Sequence, residues 1–443
     1  MVNHSILVLC ATLFCIPAMP DEHWPNFRGP GSRGVSDATD LPVVWDNKKN
    51  IAWKVRIPGR AWSSPVIWGD KVIVTNAVTD AETEAPKKGI YSRGNRPKQD
   101  SLYRWEVRCY SLSDGELQWS RVALEAKPNM AVHLKNTLAS ETPAVDAQRI
   151  YAFFGSAGVF CYDHSGKLLW KKDLGVFETR KGWGTASSPT IHDHMIFIQC
   201  DHDSQSFIVA LDQATGEEIW RKEHDGTTSW STPFIWENTL RTELITTTSE
   251  RARSFDVTTG KLLWELEGMS SIVCPTSFSA HGLLYISSGF VNDETRPIYA
   301  IKPGGVGNIS LSGTHATNQF VVWSHQRIGP YNTSPILVGD YLYVLYDRGI
   351  FSCFDAHTGA LIYRKRLTGV RGQFSASPWS YGGKIFCLNE DGETLVIQAG
   401  KTFEALHVNR MDDEMFMASP AMSKGTLVVR GMNHLYGVRK SED

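Results

Sequence analysis

Several features that mark familiar functional classes are missing from this sequence. Its 443 residues carry a formal net charge of −2, which offers no electrostatic reason to expect nucleic acid or anionic membrane as a partner. It contains no Gly-rich phosphate loop, no G-x-S-x-G elbow and no H-E-x-x-H pair, so no motif supports an orthodox hydrolase. No apolar run reaches the length of a transmembrane helix. We therefore predict no nucleic-acid partner and no transmembrane segment.

One apolar run lies near the N-terminus, from Ile6 to Ala18, and polar residues follow it at once. It is too short to span a bilayer and has the length of a signal-peptide core. We predict a cleavable signal peptide over residues 1–18 and a protein exported to the periplasm or the extracellular space. A buried N-terminal strand is the alternative. A lipid anchor is disfavoured because bulky residues precede Cys10 and Cys15, where a small residue is expected.

Cysteine is sparse and unpaired in the rest of the sequence. The cysteines after the predicted signal peptide are Cys109, Cys161, Cys200, Cys274, Cys353 and Cys387. They form neither a C-x-x-C motif nor an adjacent pair, and several lie within apolar alternation. We interpret them as small buried hydrophobic residues. The oxidising compartment that export implies would permit disulfides, and the sequence leaves open whether any form.

What the sequence does contain is a repeat. The segment LDQATGEEIW, Leu211 to Trp220, recurs as YSLSDGELQW, YDHSGKLLW, FDVTTGKLLW and FDAHTGALIY, which end at Trp119, Trp170, Trp264 and Tyr363. Spacings of about 50 and about 44 residues between successive copies are those of a four-stranded propeller blade. A Ser/Thr-Pro step followed by two short apolar strands lies between the copies, with prolines at 65, 143, 189, 233, 275, 335, 378 and 420.

These two motifs predict an all-β fold, an eight-bladed β-propeller of four-stranded antiparallel blades. Proline lacks a backbone donor and belongs on edge strands, and the innermost strand of a blade is such an edge. The propeller spans residues 50–440 as one domain, after a lead-in segment over 19–49. The C-terminal unit supplies three strands, and NIAWKVRIPG with Trp53 supplies a fourth. Pairing the two closes the ring and leaves no exposed sheet edge.

The repeated turn has a structural explanation that requires no cofactor. Asp212 can accept hydrogen bonds from backbone amides two residues on, and Gly216 supplies the positive φ of a tight turn. The tryptophan that follows can cover the neighbouring blade from the outermost strand. We assign this docking role to Asp212, Gly216, Trp119, Trp170, Trp220 and Trp264.

The pattern Ala-x-Asp-x-x-Thr-Gly-x-x-x-Trp, present as ALDQATGEEIW, resembles the tryptophan-docking motif of pyrroloquinoline quinone (PQQ) repeat, quinoprotein-like β-propellers. The segment WPNFRGPGSRGVS is similar to the lead-in of secreted bacterial PQQ-like repeat proteins. The resemblance covers roughly residues 50–440 and implies eight blades, with the Trp of one blade stacked on the next. Function does not follow from it.

Two branches of that family imply different functions. Quinoprotein alcohol dehydrogenases bind PQQ and Ca²⁺, and their adjacent cysteines, which form a disulfide beside the cofactor, have no counterpart here. Non-enzymatic members resemble the propeller subunit of the outer-membrane assembly machinery, a scaffold. We predict a monomeric binding or scaffold module for a protein or small ligand, with no catalytic residues, no metal and no cofactor. The alternatives are a PQQ- and Ca²⁺-dependent alcohol or sugar dehydrogenase and a carbohydrate-binding propeller.

Long connections mark one face of the predicted ring as the binding face. The residues just before each Ser/Thr-Pro step would surround the channel mouth there. Our candidate ligand residues are Arg60, Trp62, Glu141, Trp183, Trp230, Tyr331 and Asn332; alternatively, they only fill the channel and exclude water. Glu141 is the first candidate acid if PQQ and Ca²⁺ bind. The cluster from His192 to Asp203 is not one metal site, because a strand of roughly 20 Å separates its two halves.

Overall fold

The computed structural model describes residues 23–91, 94–411 and 414–441, and the predicted signal peptide lies outside them. It contains eight separate antiparallel sheets, which we number as blades 1 to 8 and whose strands we letter A to D from the channel outwards. The prediction of an all-β, eight-bladed propeller is therefore confirmed. Three 3-10 turns, Pro30–Ser32, Gly155–Ala157 and Arg180–Gly182, occur between strands. No helix in the described ranges has the length and hydropathy needed to cross a membrane.

The strands have the following bounds. Blade 1 contains Val66–Trp68, Lys71–Val78, Tyr103–Ser111 and Leu117–Ala126, and blade 2 contains Ala144–Val145, Arg149–Phe153, Val159–Asp163 and Leu168–Lys172. Blade 3 contains Thr190–His192, Met195–Cys200, Ser206–Asp212 and Glu218–His224, and blade 4 contains Phe234–Glu237, Thr242–Thr247, Arg251–Asp256 and Leu262–Glu267. Blade 5 contains Phe278–Ala280, Leu283–Ser287, Ile298–Ile301 and Val321–His325, and blade 6 contains Ile336–Val338, Tyr341–Leu345, Ile350–Asp355 and Leu361–Arg366. Blade 7 contains Trp379–Tyr381, Lys384–Leu388, Glu393–Gln398 and Glu404–Arg410, and blade 8 contains Ala421–Ser423, Thr426–Arg430, His434–Arg439 and Ile51–Arg56.

Blade 8 closes the ring with strands from both ends of the propeller. Its outer strand, Ile51–Arg56, pairs antiparallel with His434–Arg439. Two further short strands extend other blades: His23–Trp24 on the inner edge of blade 1, and Gly307–Asn308 parallel to the outer strand of blade 4. Because every blade is antiparallel, the D–A and B–C connections share one face of the ring, and the A–B and C–D turns share the other.

In seven blades a Ser/Thr-Pro step lies immediately before the A strand, and its hydroxyl group joins neighbouring blades. In blade 5 the residue at this position is Thr276, which follows Pro275. The backbone N–H beside one proline donates to the hydroxyl oxygen at the equivalent position of the next blade. These bonds run from Ser64 to Thr142, Thr142 to Ser188, Ser188 to Thr232, Thr276 to Ser334, Ser334 to Ser377 and Ser377 to Ser419, each at 2.9–3.0 Å. The small hydroxyl residue in the motif is thus an inter-blade acceptor that satisfies a buried amide.

The tryptophan of one blade packs on the C–D turn of the next. Trp220 lies over Gly260, where an added Cβ would come within 2.7 Å of its ring, and its indole N–H donates to the carbonyl of Val257 at 3.2 Å. The other pairs are Trp53 on Gly115, Trp119 on Gly166, Trp170 on Gly216, Trp264 on Gly305 and Trp323 on Gly359. Asp212 accepts from the amides of Ala214 and Thr215 at 2.9 and 2.8 Å. We call these six tryptophans the docking belt.

The core consists of apolar layers at the seams between blades. At the seam of blades 3 and 4, for example, Trp220 packs with Phe197, Leu244 and Phe255. Five of the six described cysteines are buried and Cys274 is partly buried, all with free thiols. Large side chains at every seam hold the blades in one rigid ring, on which the loops of the binding face are mounted.

The lead-in segment occupies the central channel. His23–Trp24 pairs with blade 1, the carbonyl of Pro25 accepts from Val145 N of blade 2 at 2.8 Å, and Ser36 N donates to the carbonyl of Ser380 in blade 7 at 2.9 Å. Between them the chain reverses at the turn Pro30–Ser32. The lead-in is therefore a hairpin-shaped plug inserted from the face of the A–B and C–D turns.

Arg28 fixes the tip of this plug. Its side chain is 1% exposed and donates to the carbonyls of Ser32, Arg33, Ser334 and Pro335 at 2.9–3.4 Å. Burial lowers the pKa of the guanidinium to about 9. Four carbonyl acceptors, two of them from blade 6, satisfy a cation that would otherwise be costly to bury.

Candidate functional site

A cavity of about 430 Å³ opens at the face of the D–A and B–C connections. The residues just before the Ser/Thr-Pro steps line it in seven of the eight blades: Trp62, Ser140, Ala186, Trp230, Asn332, Ser375 and Met417. In blade 5 the proline, Pro275, precedes the hydroxyl residue Thr276 instead of following it, so the corresponding residue is Cys274, which also lines the cavity. Ile272, which counting back from the proline indicates, is buried and lies outside the lining. The A strands converge on the channel, so residues at one register of the repeat become neighbours although they are distant in the sequence.

Aromatic side chains form much of the wall. Trp62, Trp183, Trp230, Phe290 and Tyr331 all border the cavity. The rings of Trp183 and Trp230 lie 6.2 Å apart, and those of Phe290 and Tyr331 pack edge to face at 5.3 Å. The indole N–H of Trp230 donates to the carbonyl of Gly184 at 2.8 Å, whereas the indole N–H groups of Trp62 and Trp183 find no acceptor in the described part of the chain. These two donors are buried within the wall and are unsatisfied there.

The plug gives the cavity a floor. Phe27 of the lead-in borders it, together with the ring of hydroxyl residues beside the prolines, among them Ser64, Thr142 and Ser377. These residues lie deeper along the channel than the rim residues, which precede them in the sequence. The channel is therefore not an open pore at this depth, and the cavity is a blind pocket.

The acids near the cavity are occupied by donors. Glu390 is fully buried and receives Lys135 Nζ at 2.5 Å, Ser375 Oγ at 2.6 Å and Gly89 N at 2.8 Å. Gly89 belongs to the long B–C loop of blade 1, so this contact ties that loop across the mouth to blade 7.

Asp347 of blade 6 is held in the same way. It accepts from the amides of Tyr331 and Asn332 at 3.3 and 3.2 Å, and burial raises the pKa of its carboxyl group. The lining also includes the exposed residue Arg348. The polar lining therefore offers mainly hydroxyl groups, amides and cationic groups to a ligand.

Glu141 lies behind the wall of the cavity, outside its lining, and is 1% exposed. Its Oε1 accepts the hydroxyl of Thr185, its Oε2 has no donor among the described residues, and burial raises its pKa to about 7. Calcium requires six to eight oxygen ligands. In the described ranges, the side-chain group of three or more potential metal ligands lies elsewhere. Glu141 without companion carboxylates does not fit a calcium set.

The structure separates Arg60 from the other candidates. It borders a smaller cavity of about 230 Å³ beside Tyr103 and Arg96, where its guanidinium donates to the carbonyl of Glu84 at 2.5 Å and burial lowers its pKa. Trp62, Trp183, Trp230, Tyr331 and Asn332 share the larger cavity. His192 and Asp201 lie at opposite ends of the strand Met195–Cys200, as the sequence indicates.

Sequence reasoning missed several contributors to the site, among them Phe27, Phe290 and the Lys135–Glu390 pair. The paired residues are 255 positions apart, and neither belongs to a repeated motif. The resemblance of the lead-in to that of secreted propellers was a signal for Phe27, but it did not place that segment in the channel.

Comparison with known proteins identifies the family. The family described as outer membrane protein assembly factor BamB matches residues 104–287 and 308–441. BamB from Moraxella catarrhalis superposes with a TM-score of 0.57 at 11% identity, covering 87% of this chain and 98% of that one. The quinohemoprotein alcohol dehydrogenase from Comamonas testosteroni superposes with a TM-score of 0.62 at 13% identity, covering 95% and 81%. No curated protein matches the sequence. The superpositions show a shared PQQ-type eight-bladed fold. The family match over most of the sequence shows that the chain belongs to the family described as outer membrane protein assembly factor BamB.

Proposed function

We propose that this protein is an exported binding module, periplasmic or extracellular, whose mouth cavity takes a small polar ligand containing a ring. The observation that carries the proposal is the blind cavity itself, whose wall contains three tryptophans, Trp62, Trp183 and Trp230. A volume of about 430 Å³ lies within the range of small-molecule sites, which combine apolar walls with a few convergent polar groups.

The wall chemistry supports binding rather than acid–base catalysis. Glu390 and Asp347 are saturated by donors, and Glu141 is sealed behind the wall. Flat indole faces together with hydroxyl, amide and cationic groups suit a sugar ring or another polar ring system. The family match and the resemblance of the lead-in to that of secreted propellers support export, and we propose a monomer.

Titrations monitored by tryptophan fluorescence test this function. The probes are a panel of neutral and sulfated oligosaccharides and, separately, PQQ with CaCl₂. We expect saturable quenching by an oligosaccharide, weakened at least about tenfold in the Trp62→Ala and Trp230→Ala variants because each removes a wall of the cavity. The matched control is Leu240→Ala, an exposed residue of an A–B turn on the opposite face, which should bind like the wild type.

The same titrations identify the alternative function. Bound PQQ with quinone absorbance and alcohol-dependent dye reduction would replace the binding module with a quinoprotein dehydrogenase. Silence of the whole panel in a folded protein would overturn the small-ligand proposal and leave a protein scaffold, for which the long loops of the same face are the surface to probe by cross-linking.

A further inference from the structure

A separate cluster of side chains lies at the seam between blades 5 and 6, on the face opposite the cavity. His281 lies in the A–B turn of blade 5, Asp340 in the A–B turn of blade 6 and His357 in the C–D turn of blade 6. All three residues are exposed, and one potential ligand atom of each lies within 4.8 Å of the other two. We propose that these residues form a transition-metal site, and that Zn²⁺ is the ion it takes.

The donor set and its spacing fit zinc. Two imidazoles and one carboxylate are borderline and hard ligands of the kind found in three-residue zinc sites with an open fourth position. Zn–N and Zn–O distances of about 2.0–2.2 Å place tetrahedral donors about 3.3 Å apart. Nε2 of His357 already lies 3.7 Å from Oδ1 of Asp340, and the rings of His281 and His357 lie 4.7 Å apart. Reaching the zinc spacing requires side-chain rotations, which the exposure of all three residues permits.

The backbone that carries two of the ligands is held in place. Ala356, next to His357, donates its N–H to the carbonyl of Asp340 at 2.9 Å. The carbonyl of Ala356 accepts the indole N–H of Trp323 at 2.8 Å and the hydroxyl of Tyr285 at 3.1 Å. The tryptophan docking contact of blade 5 therefore fixes the turn that presents His357.

The third ligand is oriented by a contact across the seam. Nε2 of His281 lies 2.9 Å from the carbonyl oxygen of Gly339. When Nε2–H donates there, Nδ1 keeps its lone pair. Metal-binding histidines commonly donate their other ring N–H to a backbone carbonyl in this way, which fixes the tautomer and the ring direction. Gly339 directly precedes Asp340, so one A–B turn supplies a ligand and orients another.

A metal at this position would connect two blades through side chains. The three ligands lie together only in the folded ring, so the metal would bind the folded protein and not the unfolded chain. It would therefore raise the thermal unfolding midpoint. Neither the mouth cavity nor its ligand is involved, so the site is independent of the proposed function.

Calorimetric titration of ZnCl₂ into the full chain, treated with EDTA, dialysed and free of any affinity tag, tests the proposal. We expect one equivalent of Zn²⁺ to bind, with affinity reduced at least about tenfold in His281→Ala and in His357→Ala. The matched control is His194→Ala, which removes an exposed histidine from the equivalent A–B turn of blade 3 and should leave the affinity unchanged. Ca²⁺, which takes six to eight oxygen ligands, should show no heat of binding.

Thermal unfolding provides a second measurement. Zn²⁺ should raise the midpoints of the wild type and of His194→Ala above their own values in EDTA, but should leave the midpoint of the His281→Ala/His357→Ala double variant at its own EDTA value. Absence of Zn²⁺ binding by the wild type would overturn the proposal. So would binding by both single histidine variants with wild-type affinity.

Discussion

Trp220 and Trp62 are equally buried, each 8% exposed. The indole N–H of Trp220 has an acceptor, whereas that of Trp62 has none among the described residues. In the docking belt, Trp220 packs on a glycine and its indole N–H has a carbonyl acceptor. At the cavity, the indole N–H groups of Trp62 and Trp183 have none among the described residues. Glu141 nearby also keeps one oxygen without a donor. Burial alone thus does not show whether the indole N–H of a tryptophan has an acceptor.

This difference has an energetic meaning. A satisfied belt stabilises the ring, because each indole fills a seam and leaves no polar group unpaired. Buried polar groups without partners, such as those beside the cavity, cost stability. Substitutions in the docking belt should therefore lower the free energy of unfolding of the protein. Neutralising an unsatisfied group beside the cavity should raise it.

The largest expected effect comes from breaking the belt. Trp220→Ala should lower the free energy of unfolding by about 3–5 kcal/mol, since it empties the seam between blades 3 and 4. Urea unfolding followed by circular dichroism measures it. Trp62→Ala is the control and should cost only about 1–2 kcal/mol, because its ring already borders a cavity. Equal losses in the two variants would remove the distinction between the regions.

The next effect has the opposite sign and depends on pH. Glu141 has a pKa of about 7 in the folded protein, above its value in the unfolded chain, so the folded state binds the extra proton between pH 4.5 and 7. Its contribution to stability is therefore lost as pH rises through this window. Glu141→Gln should be about 3 kcal/mol more stable than the wild type at pH 8 and equal to it near pH 4.

Unfolding curves over that pH range check the difference. Glu217→Gln, which alters an exposed acid in a C–D turn, should show no such pH-dependent gain. A pH-independent difference between Glu141→Gln and the wild type would show that Glu141 ionises normally inside the fold.

The smallest effect tests close packing in the belt. Gly260→Ala should lower the free energy of unfolding by about 2 kcal/mol, because its φ of +67° is strained for alanine and its Cβ would lie 2.7 Å from the ring of Trp220. Gly282→Ala is the matched control: its φ is +73° and no atom lies within 4 Å of the added Cβ. It should pay only the backbone cost, about 1 kcal/mol. A loss as large as that of Gly260→Ala would mean that Trp220 does not restrict the turn.

Sequence reasoning reached the fold because the repeat is local. The sequence of each blade contains the signals for its own strands and turns, and a weak signal repeated along the chain becomes a strong one. The same repetition led to the residues at the channel mouth, since equal register in every blade means equal depth in the channel. Arg60 shows the limit of this logic, because its side chain turns into a neighbouring cavity.

Contacts that no repeat encodes could not be predicted. Lys135 and Glu390 meet across 255 residues, and His281 lies 58 residues from the carbonyl that orients it. The lead-in carries no periodic pattern that would place Phe27 in the channel. Such contacts depend on the conformation of each loop in the folded protein, which neither the composition nor the repeat pattern specifies.

The sequence by itself determined the number of blades, the closure of the ring and the tryptophan docking, because each follows from hydrogen-bonding and packing rules that act within one or two neighbouring units. Only the tertiary structure decided that the channel is plugged by the lead-in, that the cavity is blind, and that two histidines and an aspartate meet at one seam. These features arise from contacts between chain-distant residues, whose positions are set by the assembled ring.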